Sequence, residues 1–245
     1  MSDYPRLSKA PIILAVLEVR FKAPDTLTIK KLGGLKPLFK TDFPNQITRN
    51  TAQLQFDPNV KMMPVDYLQD AYVFNSASKK HEILITNYSF TFFQHGSYDT
   101  WKSFKELALD AWSRCNSFIK SIQIDRLSLR YVNSIEIPYP PRTEQLQANF
   151  FNTSIVGPST GKSIAQYFLR FSHPAGADKI TVHFAQELKQ GVLGNFPFII
   201  DIDVLYESNQ QMNSESIEKK FDELREVKNG YFFRNLTDQT LNLIK

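Results

Sequence analysis

Six charged residues of this chain fall inside stretches that read as strands, where charge has to be matched by something. Glu18 and Arg20 share one face of "PIILAVLEVRFK", Arg126 and Arg130 one face of "IDRLSLRYVNSIEIP", and Asp201 and Asp203 one face of "FPFIIDIDVLYE". Their formal charges sum to zero, and on neighbouring strands they would form a lattice of Arg–carboxylate pairs. Three chemistries are open to such a lattice. It can be a satisfied network that fixes strand register. It can line a groove for a charged ligand, peptide or protein partner, which makes Glu18, Arg20, Arg126, Arg130, Asp201 and Asp203 the candidate binding residues. It can also supply Asp201 and Asp203 as acid–base groups or ligands of a divalent cation. The neighbouring guanidinium groups oppose a cation, so no metal and no catalytic residue is assigned.

A second stretch imitates a familiar chemistry. "VGPSTGKS", residues 156–163, is spelled like a phosphate-cradling loop, but only three residues separate Gly157 from Gly161, whereas the motif needs four. Val156 stands where the first glycine is required, and its branched side chain resists the conformations of a backbone nest. The following "SIAQYFLRFSH" alternates like a strand, so no helix N-terminus is expected there to receive phosphate. The segment reads as a turn, and no cofactor is expected. No HExxH pair, G-x-S-x-G elbow or short-loop histidine pair occurs, and Cys115, alone on an apolar helix stripe, is a poor nucleophile.

Charge distribution gives a third possibility. Residues 1–60 hold nine Lys and Arg against five Asp and Glu, which accounts for the whole formal excess of +4. Lys30, Lys31, Lys36 and Lys40 are the densest part, and such a patch attracts phosphate backbones. Nucleic acid is therefore the alternative partner, although no aromatic-interleaved RNA motif accompanies the lysines.

The elements that would position these residues are legible from periodicity. Ile13, Ala15, Leu17, Val19 and Phe21 share the apolar face of the first strand. "ITRNTAQLQF" and "AYVFNSASKKHEILITNYSFTFFQ" supply further short runs separated by turn residues, which predicts an antiparallel meander. Trp101, Phe104, Ala108, Trp112, Cys115 and Ile119 recur at helical spacing, with Ser97 or Asp99 as the expected cap and both tryptophans assigned to the core. The second half repeats the order: a long strand, a linker through Pro138, Pro140 and Pro141, the strands "QYFLRFSH", "KITVHFAQ" and "FPFIIDIDVLYE", and the helix "SESIEKKFDELREV". Thr237 or Asp238 starts a last short helix.

These readings predict an α+β protein of two similar halves, 1–120 and 121–245, each an antiparallel sheet packed on a long helix, in an element order like that of the TATA-binding-protein class. At 245 residues with twenty Phe and ten Tyr, the chain can bury a core without staples. The single cysteine excludes an internal disulfide and points to a reducing compartment. The apolar run Pro11–Leu17 is too short to span a bilayer and reads as a strand, so no membrane partner is expected.

Taken together, "LSKAPIILAVLEVRF", "YDTWKSF", "DRLSLRYVN", "IIDIDV" and "FDELREVKNGYFFRNLTDQTL" resemble a sporadically distributed family of uncharacterised prokaryotic proteins of about this length. The resemblance implies a cytoplasmic protein of patchy occurrence, in keeping with an accessory role in mobile or defence-related gene clusters, and it names no activity. The leading reading of the chain is a binding or regulatory protein, with an enzyme using the charged strand cluster as an alternative. Where the family pattern tends to have Gly, this chain has Ser128, a small hydroxyl on the arginine face.

Overall fold

The computed structural model describes residues 4–5, 7–54, 65–120, 123–137, 150–152, 166–175, 179–189 and 196–245. The phosphate-loop look-alike at 156–163 and the proline linker at 138–141 lie outside them. Nine strands form: β1 (Ile12–Lys22), β2 (Asn45–Leu54), β3 (Val65–Asn75), β4 (His81–Ile85), β5 (Ser89–His95), β6 (Gln123–Ile137), β7 (Tyr167–Pro174), β8 (Ile180–Leu188) and β9 (Phe196–Gln210). The helices are α1 (Ile29–Leu32), α2 (Lys36–Phe39), α3 (Trp101–Ile119), α4 (Ser214–Arg234) and α5 (Asp238–Ile244).

All nine strands belong to one antiparallel sheet of order β2-β3-β4-β5-β1-β6-β9-β8-β7. This corrects the expectation of a separate sheet for each half. The two lead strands, β1 and β6, pair with each other at the centre, from Ile12 opposite Asn133 to Lys22 opposite Gln123. Each lead strand is followed by strands that begin at an outer edge and step back beside it. The physical reason for the merger is that each lead strand has two edges and its own meander covers only one of them, leaving the other to be paired.

One face of the sheet is buried and the other is not. Ala15, Leu17, Val19 and Phe21 point into the core from β1, and Leu127, Leu129 and Tyr131 join them from β6. From β9 come Phe198, Ile200, Ile202 and Val204, all without solvent exposure. The helix α3 covers this face with Phe104, Ala108, Ala111, Trp112, Cys115 and Ile119, and α4 covers it with Ile217, Phe221, Leu224 and Phe232. Each such large side chain contributes about 1.5–3 kcal/mol on burial. Among the described residues, no helix is long and apolar enough to cross a membrane.

The cap of α3 is Thr100, whose hydroxyl accepts from the Ser103 amide at 3.1 Å, rather than Ser97 or Asp99. Asp99 is drawn away into an ion pair with Lys80 at 2.8 Å. Trp101 also departs from a pure core role. Its Nε1 donates to Asp222 on α4 at 2.7 Å, and Lys105 reaches Asp222 at 2.9 Å and Glu218 at 2.8 Å. These contacts tie the two long helices together across the sheet. α4 runs to Arg234, seven residues past the expected end at Val227, and α5 is capped by Thr237 as the sequence predicts.

Phe104 packs against Phe92, Tyr98 and Tyr131 and joins α3 to both halves of the sheet. Phe104→Ala is expected to lower the free energy of unfolding by about 3–5 kcal/mol. Denaturant titration checks this, and a loss below about 1 kcal/mol would show that α3 does not organise the core.

Candidate functional site

The six charges meet on the opposite face, which no helix among the described residues covers, because β1, β6 and β9 are consecutive neighbours. Opposite residues there are Glu18 and Ser128, Arg20 and Arg126, and Arg130 and Asp203. The pairs that form run diagonally between the strands. Arg126 donates to Glu18 at 2.8 Å, Arg130 makes a two-pronged bond to Asp201 at 2.8 and 2.6 Å, and the Ser128 hydroxyl donates to Asp203 at 2.6 Å. Ser128 thus stands between Arg126 and Arg130 on the same face of β6 and gives Asp203 a hydrogen-bond donor where it has no ion pair with a described residue.

Arg20 is the exception. The β1–β6 register sets it directly opposite Arg126, so the two cations repel, and its guanidinium lies instead over the Tyr88 ring, 5.5 Å from the centroid. Arg20 belongs to the face but not to the ion-pair network.

Beyond β9 the lattice opens into a cavity of about 380 Å³ lined by Arg130, Phe168, Arg170, His183, Asp201 and Asp203. His183 stands opposite Asp203, and its Nδ1 shares a 2.6 Å hydrogen bond with Ser172 of β7. Phe168 is 63% exposed. Arg170 has no ion-pair partner among the described residues. Strand periodicity sets Thr181, His183 and Ala185 on one face, yet nothing in the sequence says that β8 follows β9 in the sheet. The part played by His183, Arg170 and Phe168 is therefore not legible from sequence.

Burial pushes the Asp203 carboxyl above its usual range, even though the Ser128 hydroxyl and the Arg130 charge favour the ionised form. The bond to Asp201 keeps Arg130 firmly charged, with burial opposing it. Among the described residues, no group of three or more His, Cys, Asp or Glu side chains is placed to hold a metal ion. Cys115 is buried, and burial alone drives its thiol far above the usual range, so it is unreactive at neutral pH.

Lys30, Lys31, Lys36 and Lys40 lie elsewhere. They are exposed along α1, α2 and the turn between them, on the helix side of the sheet, where Leu32, Leu35 and Phe39 anchor the segment in the core. The structure does not bring them to the charged face.

A second hollow escapes sequence reasoning. The N-terminal segment, the entry to α3, β6 and α4 enclose about 310 Å³. Lys228 lines it, buried, with its Nζ 4.2 Å from the centre of the Tyr131 ring. The sequence reading ends this helix at Val227 and so leaves Lys228 outside it, whereas α4 continues to Arg234 and turns the residue inward.

The molecule is thus an α+β protein with one sheet face closed by helices and the other bearing a network of matched charges. Neither protein-family models nor curated proteins match the chain. Among solved structures it is similar to Methanococcus jannaschii TBP, at 9% identity and a TM-score of 0.30 over 89% of this chain and 99% of that one. A likeness of that score carries no functional weight.

Two substitutions test how the network is held. Arg130 is half exposed, so Arg130→Ala is expected to cost no more than about 1 kcal/mol. Asp203 keeps its proton more tightly in the folded protein than in the unfolded chain, so stability falls as pH rises from the unfolded to the folded pKa. Asp203→Asn is accordingly expected to match or exceed the parent Tm at neutral pH and to converge with it in acid. A large loss of Tm at neutral pH would show that the carboxylate is required structurally.

Proposed function

We propose that the protein is a binding protein, an accessory factor rather than a catalyst, which presents the charged sheet face to a partner protein. The observation that supports this is the contrast within the face. Glu18 is paired with Arg126, Asp201 with Arg130 and Asp203 with the Ser128 hydroxyl, while Phe168 and Arg170 beside them stand exposed. A catalyst needs a group poised to move a proton or attack; a docking surface needs a rigid platform with an aromatic anchor and a free cation. The partner that fits is a segment with an apolar side chain for Phe168 and an acidic one for Arg170. Asp203, charged at some expense in stability, fits a residue retained for recognition. This role agrees with the resemblance to sporadic, cytoplasmic prokaryotic proteins.

The double substitution Phe168→Ala/Arg170→Glu is expected to leave Tm within about 0.5 kcal/mol equivalent of the parent and to abolish retention of the partner. The measurement is quantitative mass spectrometry of proteins captured from the native cell by parent and variant side by side. Identical captured sets would overturn the proposal.

Nucleic acid is the second reading, favoured by one observation: Lys30, Lys31, Lys36 and Lys40 are all exposed, and none forms an ion pair with a described residue. It predicts affinity for duplex DNA that falls steeply with salt and drops on Lys30→Glu/Lys31→Glu. Anisotropy titration at two salt concentrations measures it, and flat curves at low salt would remove it.

A further inference from the structure

We propose that the cavity beneath the N-terminal segment is a second site, for a small organic carboxylate with an aromatic or apolar body, its carboxylate between Lys228 and Arg225 and its body against Tyr131 and Trp101. The site is independent of the charged sheet face, since the core of the sheet separates them.

Lys228 is the feature that packing does not explain. It projects from α4 into the interior, 8% exposed, and no described carboxylate lies within ion-pair range of its Nζ. Its nearest described company is the π face of Tyr131. A buried ammonium without a partner lowers stability, and a hydrocarbon side chain of the same length would not. An anion entering the cavity supplies the missing charge.

The remaining groups define that anion. The second cation is Arg225, whose guanidinium lies 5.8 Å from the Trp101 ring centroid and is only loosely tied, at 3.3 Å, to Glu226. Tyr98 and Tyr131 bond to each other through their hydroxyls at 2.8 Å, which leaves their rings to line an apolar slot. Over the top, Tyr4 stacks on Phe233 with ring centroids 4.8 Å apart. The volume of about 310 Å³ is at the small end for ligand sites. Thr100 and Trp101 at the start of α3 also line it, which favours an anion, and no described glycine lines it to add the nest of amides that a dianionic phosphate uses. A monoanion with one flat, greasy side matches what is there.

Proton traffic gives the site a signature. Burial, with the Arg225 charge adding to it, lowers Lys228 to about 7, Glu226 acting in the opposite sense. Among the described residues, the other titratable groups lining the cavity are Arg225, Tyr4, Tyr98, Tyr131 and Asp99. Burial pushes Tyr98 up to about 12 and Tyr131 well above its usual range, and Asp99 is paired with Lys80. Lys228 is therefore the group that takes up a proton when a carboxylate binds in mildly alkaline solution.

The test is calorimetric titration of the whole protein with 3-phenylpropionate, and with 3-phenylpropionamide as its neutral isostere, in two buffers of different ionisation enthalpy. Near pH 8 the carboxylate should bind with uptake of most of one proton, and the uptake should vanish about two pH units lower. The amide should bind at least about tenfold more weakly, and Lys228→Met should lose both affinity and proton uptake. Equal binding of acid and amide, binding without proton uptake near pH 8, or no heat at about 10 mM carboxylate would each overturn the proposal. The proton count on the unmutated protein decides the matter even if Lys228→Met fails to fold.

Discussion

The antiparallel pairing of β1 with β6 is the constraint on which everything else rests. It joins the two lead strands, turns two possible sheets into one, and fixes which residues look inward. Leu17 lies opposite Leu129 and Val19 opposite Leu127 on the core side, while Glu18 lies opposite Ser128 on the other. Because the side-chain period of a strand is two, a slip of β1 by one residue against β6 would send Glu18 and Arg20 into the core and Leu17 and Val19 into water. The hydrophobic pattern and the charge pattern therefore specify the same register, and each penalises the alternatives to the other.

That register also explains why the charged face is a platform rather than a reactive centre. Carboxylates and guanidinium groups on β1, β6 and β9 arrive at spacings that let Glu18 pair with Arg126 and Asp201 with Arg130, and the Ser128 hydroxyl serves the remaining carboxylate, Asp203. What is left for a partner lies to the side, on β7 and β8, where Phe168 and Arg170 are displayed by an edge strand. Tight charge matching at the centre and free groups at the margin are what separate holding a partner from transforming it.

Much of this was written plainly in the sequence, and the rest was not, for definable reasons. The alternation in "PIILAVLEVRFK" and "FPFIIDIDVLYE" is strict because one face of each strand is wholly buried, so faces and strand limits could be read directly. The i, i+3, i+4 stripe of α3 was equally clear. Strand order was not, since no local pattern encodes which edge finds which; the placement of His183 beside Asp203 depends on β8 pairing with β9. Arg20 was assigned to the network from its face alone, and only the register reveals that its opposite number is another arginine. Lys228 was invisible because the apolar stripe that marks this helix fades after Leu224, so the residue fell beyond the expected end at Val227.

Trp101 stands at the edge of the inner cavity with Lys105 and Arg225 each 5.8 Å from its ring. The other tryptophan, Trp112, is sealed in the core against Phe21 and Phe90. The molecule thereby carries two indoles in contrasting surroundings, one shielded from solution and one beside charged side chains. Light absorbed by the protein reports on both, but only the emission of Trp101 should respond to what happens at the cavity mouth, giving the protein an intrinsic optical gauge with its own internal reference.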